Sequence, residues 1–210
     1  METRTTLKLV GGAVGAAAGA LGAWTLADAL STWRVESVDY TYVGDVDGVE
    51  LRRYPELVCV ETTAPSERTA FRRLYRYIDG ANDGGESVAM TRPVETEDTD
   101  GDVTMAFFLP ESYTPETAPE PSNDAVSLVV EPPKTLAVLT FSWWTPAFRV
   151  RRKESDLLDA LEATDIETVG EPALRRYDAP FTPPFRRTNE VAVEVESGSV
   201  RRYLAGERST

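Results

Sequence analysis

The chain has 210 residues, with 35 aspartates and glutamates against 22 lysines and arginines, a net charge of −13 and no histidine. That balance argues against a nucleic-acid partner, because phosphate binding needs a basic face, and the lack of histidine removes the commonest general base and metal ligand together. A single cysteine, Cys59, excludes an intramolecular disulfide and a Cys-rich zinc site.

The chain opens with Leu9 to Ala27, nineteen residues without a charge, bounded by Lys8 and Asp28. That length just spans a bilayer. Gly11, Gly15 and Gly19 would share one helix face, as close helix packing in lipid requires, and Trp24 suits an interface. The expectation is a single-pass anchor at about 9–27 within a tail of residues 1–37, which makes the membrane a partner and the cell membrane the location. A cleaved signal peptide ending near Ala27–Ala29 and a structureless tail are the alternatives. Flanking charge (Arg4 and Lys8 before, Arg34 after) leaves the side of the folded domain open.

The body is expected over 38–197, and 198–210 read as a flexible C-terminal tail. A body of ~160 residues buries roughly 70% of its unfolded surface, enough for a core without staples. Strand patterns rich in Val, Thr and aromatics fall at 49–54, 57–63, 103–109, 126–131, 135–141 and 190–195. Cys59 sits in the second of these, an apolar run in which a small core residue is the ordinary role and a reactive thiol the alternative. Pro65 and Ser66 start a helix on which Phe71, Leu74, Tyr75 and Ile78 recur at i, i+3, i+4, i+7, and Gly80 ends it. A second helix is expected over about Ala147 to Ala163, with Val150, Leu157, Leu158 and Leu161 as its stripe. Glu95 to Asp102 and the proline-containing Tyr113 to Asp124 are expected loops. The fold class is therefore α+β, in two similar halves that each pair a strand with a helix. Only Lys8, Lys134 and Lys153 are lysines, and an acidic, Lys-poor surface resembles halophilic proteins, where salt screens self-repulsion, with a GC-rich genome of acidic products as the alternative.

The segment Arg176 to Val195, RYDAPFTPPFRRTNEVAVEV, is the most distinctive. Pro180, Pro183 and Pro184 keep it out of a sheet interior, so Phe181 and Phe185 must be placed by packing. With VELRRYPELVCVETT (49–63), AFRRLYRYIDGAND (70–83), VAMTRPV (88–94) and the long 107–142 segment, it resembles the SOUL heme-binding family over about residues 38–196. The resemblance implies a distorted antiparallel β-barrel of two pseudo-repeated halves, each with one helix on the sheet. It also implies reversible, non-enzymatic binding of heme or a related tetrapyrrole in a hydrophobic cleft beside the first helix.

On that footing the cofactor-binding candidates are Phe71, Arg72, Tyr75, Arg76, Met90, Phe181 and Phe185. A tetrapyrrole is a flat apolar plate with carboxylates, which aromatic faces and guanidinium groups match. Each has a plain structural role as well: Phe71 and Tyr75 as core, the arginines as a solvated flank, Met90 as core filler, Phe181 and Phe185 as closure of the barrel. Without histidine the usual axial ligation is impossible, so heme would be held through Tyr, Met or Cys, or with no axial bond. Trp143 and Trp144 also depart from the family pattern after Phe141-Ser142, and either widen a stacking surface or plug the pocket. The alternative is a heme-free ligand-sensing or scaffold domain of the same fold, taking another apolar small molecule. No metal site and no catalytic constellation stands out, since no Ser, Cys or Lys nucleophile has a companion base.

Overall fold

The computed structural model describes residues 35–207. In chain order the elements are β1 (Glu36–Ser37), β2 (Thr41–Val46), β3 (Val49–Tyr54), β4 (Leu57–Ala64), α1 (Glu67–Ile78), β5 (Thr91–Arg92), β6 (Val94–Thr99), β7 (Asp102–Phe108) and β8 (Ser127–Glu131). They continue with β9 (Lys134–Phe141), α2 (Ala147–Glu162), β10 (Thr168–Arg176), β11 (Asn189–Val195) and α3 (Ser197–Glu207). Nine strands form one antiparallel sheet in the order β2-β3-β9-β11-β10-β6-β7-β4-β8, while β1 and β5 make a short parallel pair. The fold is thus mixed α+β, but β2 and β8 are free ends of the ladder, so the expected barrel is not closed.

Register places both long helices on one face. Val60 lies opposite Phe107, Phe107 opposite Val94, Thr96 opposite Leu174 and Leu174 opposite Val191, and directly paired residues share a face. On this face α1 covers Val58, Val60, Phe107 and Leu109 with Leu74, Tyr77 and Ile78. Beside it α2 covers Leu51, Ala137, Val191 and Val193 with Leu157 and Leu161. Burial of such side chains stabilises by about 1.5–3 kcal/mol each, so these two cores hold the domain. The opposite face carries Tyr54, Cys59, Leu136, Val138, Ala106 and Phe108, with charged residues between them.

Three expectations change. Residues 95–102 are not a loop: they supply most of β6 and enter β7, turned at Asp100–Gly101 with positive φ at both positions, the hairpin signal of an Asp-Gly pair. Their charges mask the period of two, because Glu95 faces Arg175 of β10. The expected flexible tail is largely helix α3, whose Val200 is buried in the first core. A Cβ on Gly44 of β2 would lie 2.6 Å from a Leu204 methyl, so this glycine lets α3 close on the edge strand. Finally, no helix among the described residues is long and apolar enough to cross a membrane, and the stretch 9–27 lies outside those residues. The single-pass anchor, the membrane as partner and the membrane location therefore have no support in the structure and are not carried further.

Candidate functional site

Helix α1 is built as its sequence suggests. The Ser66 hydroxyl accepts from the Thr69 N–H at 3.3 Å, satisfying one orphan donor, and Glu67 lies in the first turn, where a carboxylate suits the dipole. Its buried face is Ala70, Leu74, Tyr77 and Ile78. Tyr77 reaches the interior because its hydroxyl donates to the Pro119 carbonyl at 2.8 Å. The face is rotated from the expected one, so Phe71 and Tyr75 sit on its shoulder, 40% and 48% exposed. Their rings stack on each other at 6.1 Å and 18°, and Phe71 meets the buried Phe107 edge-on at 5.3 Å. Arg72 and Arg76 are exposed further round the helix. Arg176 of β10 pairs with Glu67 at 2.7 Å, fastening the helix start to the sheet.

Met90 is half-buried and packs on the core beneath α1, the role of a gap filler. Phe181 and Phe185 are exposed on the proline arm, which meets the end of β9 instead of α1: the Trp143 N–H donates to the Pro184 carbonyl at 3.0 Å. The structure therefore brings Phe71 and Tyr75 together, with Arg72 and Arg76 on the same helix, and sets Phe181 and Phe185 beside Trp143 and Trp144. A cavity of about 160 Å³ beside α1 is lined by Arg73, Arg76 and Tyr77 among others and does not reach the aromatic pair. Another of about 340 Å³, between the two helices, is lined by Glu67, Thr96, Val150, Arg151, Leu174 and Arg176 among others, and does not include Phe71 or Tyr75.

The helix-free face holds a buried ion network that sequence inspection missed. Arg52 donates to Glu190 at 2.9 Å and to Glu50 at 2.8 Å, and its guanidinium lies 4.4 Å from the Tyr40 ring centre. Tyr177, at the root of the arm, donates to the same Glu190 at 2.7 Å. Burial, then the Glu190 charge, pushes the Tyr177 phenol well above its usual value, so it remains a donor. Arg175 pairs with Glu95 at 2.6 Å, and its guanidinium lies over Tyr54 and Phe108. Charged groups survive here because each has a partner. Cys59 is buried on this face, and burial followed by the Glu131 charge pushes its thiol up, away from thiolate chemistry. Among the described residues no cluster of three His, Cys, Asp or Glu side chains could hold a metal ion. The shoulder of α1 thus presents two stacked aromatic rings, with exposed guanidinium groups on the same helix.

The model of the SOUL heme-binding protein family matches residues 35–194. No curated protein matches the chain. Among solved structures, the C-terminal domain of EcmrR is similar at 14% identity and TM-score 0.51, over 75% of this chain and 98% of that one. EcmrR in its DNA complex gives 13% and 0.52, over 83% of this chain and 63% of that one. A hydrolase from Listeria innocua gives 12% and 0.50, over 81% and 97%. At these identities the likeness concerns the fold alone.

Proposed function

Because the chain belongs to the SOUL heme-binding protein family, we propose that it binds heme or a related tetrapyrrole reversibly, without enzymatic turnover and without histidine ligation. The observation that carries this is the stacked Phe71–Tyr75 pair on the open shoulder of α1. Those rings would lie against the plate, and Arg72 and Arg76 would take its carboxylates. The heme-free scaffold reading calls for a cleft plugged by Trp143, Trp144 and Phe181, yet these side chains are exposed. The sheet order also supports two pseudo-repeated halves, since β8-β4-β7-β6 on one side of the β6–β10 contact is answered by β3-β9-β11-β10 on the other, with β2 added outside β3.

The ring plane is the main hold: of the axial ligands that remain without histidine, Cys59 is sealed inside and Met90 is packed against the core, which leaves the Tyr75 phenol as the candidate for the iron at this site. Metal-free protoporphyrin IX should therefore bind within about tenfold of hemin, a difference of ~1.4 kcal/mol. Competition between the two on the full chain tests this. Hemin binding that protoporphyrin cannot displace at high excess would show that the iron is gripped.

A further inference from the structure

One end of the sheet, where β9 stops and β11 begins, is a concentration of exposed aromatics. Trp143, Trp144, Phe148, Phe181 and Phe185 are between 50% and 72% exposed. Side chains of this size at such exposure make an apolar area on the order of 600 Å², at the upper end of what soluble chains leave uncovered. Trp143 is also held in an unusual backbone state, with φ 83°, the region that favours glycine. Both its backbone groups are fastened: its N–H donates to Pro184 at 3.0 Å, and its carbonyl accepts from the buried Asn189 side chain at 2.9 Å. A non-glycine residue persists there only when its surroundings impose it. What that arrangement achieves is an outward-facing indole.

Charge gives the patch a chemistry. From Trp143 to Lys153 the sequence has four basic residues and no carboxylate, and from Pro180 to Thr188 two and none, in a chain of net charge −13. Arg187 is spent on the arm: it donates to the Thr182 carbonyl at 2.8 Å and to that of Pro180, and lies 4.3 Å over the Trp144 ring. Lys153 is taken by Asp156 at 2.7 Å. Arg149, Arg152 and Arg186 have no ion pair among the described residues. Flat apolar faces among guanidinium groups without ion pairs fit a flat apolar anion, and the Asp178 carboxylate at the root of the arm is taken by the Thr188 N–H at 2.6 Å. A neutral apolar ligand would leave the cations unused, and an organic cation would be repelled.

We propose that this end is a second binding surface, separate from α1, for a planar aromatic anion. Trp143 and Trp144 supply the stacking faces, and Arg149, Arg152 and Arg186 supply the counter-charge. The class of ligand follows from the patch itself; that the anion is a tetrapyrrole dicarboxylate rests on the function proposed above.

The test titrates the full chain with hemin and, separately, with pyrenetetrasulfonate, a flat anion that is no tetrapyrrole. The variant is Trp143→Gly with Trp144→Ala, in which glycine suits the existing φ and the fold is kept. Wild type should take two hemin equivalents and the variant one, and the variant should bind pyrenetetrasulfonate at least tenfold more weakly. Arg149→Glu with Arg186→Glu, on exposed or half-exposed positions, should give the same loss by reversing the charge. Unchanged stoichiometry and unchanged pyrenetetrasulfonate affinity in both variants would overturn the inference. So would binding of a Glu-rich peptide at this end when neither flat anion binds. If wild type takes no hemin but binds pyrenetetrasulfonate in a Trp-dependent way, the tetrapyrrole reading falls and this inference stands.

Discussion

The two aromatic surfaces are made in opposite ways. On α1, Phe71 and Tyr75 extend the core outward: Phe71 rests on Phe107, the helix is capped by Ser66, and no residue of α1 has positive φ. At the arm end the aromatics stand on turns and a proline-rich loop, and Trp143 is kept in place by Pro184 and Asn189 against its own preference. The first surface follows from helical periodicity. The second depends on hydrogen bonds between residues that are far apart in the chain. Substitutions on α1 should therefore disturb stability along with binding, whereas the arm-end indoles can be removed with binding as the main readout.

The strongest way to break that contrast is Glu190→Ala. It removes the buried one of Arg52's two carboxylate partners, leaving half-exposed Glu50, and unhooks Tyr177 from the sheet, so urea unfolding should show a loss of about 3 kcal/mol. A loss below ~1 kcal/mol would mean that the network does not fix the arm. Next in size is Asn189→Ala, which strips the Trp143 carbonyl of its donor and should cost about 1–3 kcal/mol. In a Trp143→Gly background the same change should cost more, because wild type recovers part of its strain of about 1–3 kcal/mol when Asn189 lets go and glycine has none to recover. Additive losses in that cycle would remove the strain argument. Phe71→Ala with Tyr75→Ala comes third, at about 1–2 kcal/mol for a half-buried pair.

The smallest effect concerns pH. Burial, then Glu131 and its neighbours, raises the Glu61 carboxyl above the ordinary range. A raised folded value favours the protonated form in the fold. Its contribution is therefore present below the ordinary glutamate range and lost as pH rises through the raised value. Glu61→Gln should be equal to or more stable than wild type at neutral pH, by less than ~1 kcal/mol. The advantage should vanish as pH falls below the usual carboxylate range, and paired thermal melts across pH would show it.

Plain alternation and helix punctuation were enough to locate β3, β4, β9, β11, α1 and α2 within a residue or two. What escaped was hidden by tertiary pairing. Strand β10 contains Gly170, Pro172 and a register shift between Val169 and Ala173, and its Arg175 looks like a surface residue until Glu95 is found beside it. Helix α3 contains Gly198 and Gly206, so its propensity is low and packing of Val200 and Leu204 makes it a helix. At the site, spacing located Phe71 and Tyr75 but not their rotation to the shoulder. That rotation follows from small Ala70 and hydrogen-bonded Tyr77 taking the interior positions. Phe181 and Phe185 were recognisable as aromatics in want of a place, but their neighbours Trp143 and Trp144 lie about forty residues away in the chain.

The central claim is that the α1 pair holds a tetrapyrrole by its plane. The most direct measurement is a Soret titration of hemin into the full chain, at a salt concentration that maintains the fold, for wild type and for Phe71→Ala with Tyr75→Ala. The account predicts a saturable change near micromolar hemin in wild type, without the spectrum of a histidine-ligated iron, and a loss of affinity of at least tenfold at one site in the variant. No saturable change in folded wild type, or equal affinity in the two proteins, would contradict it.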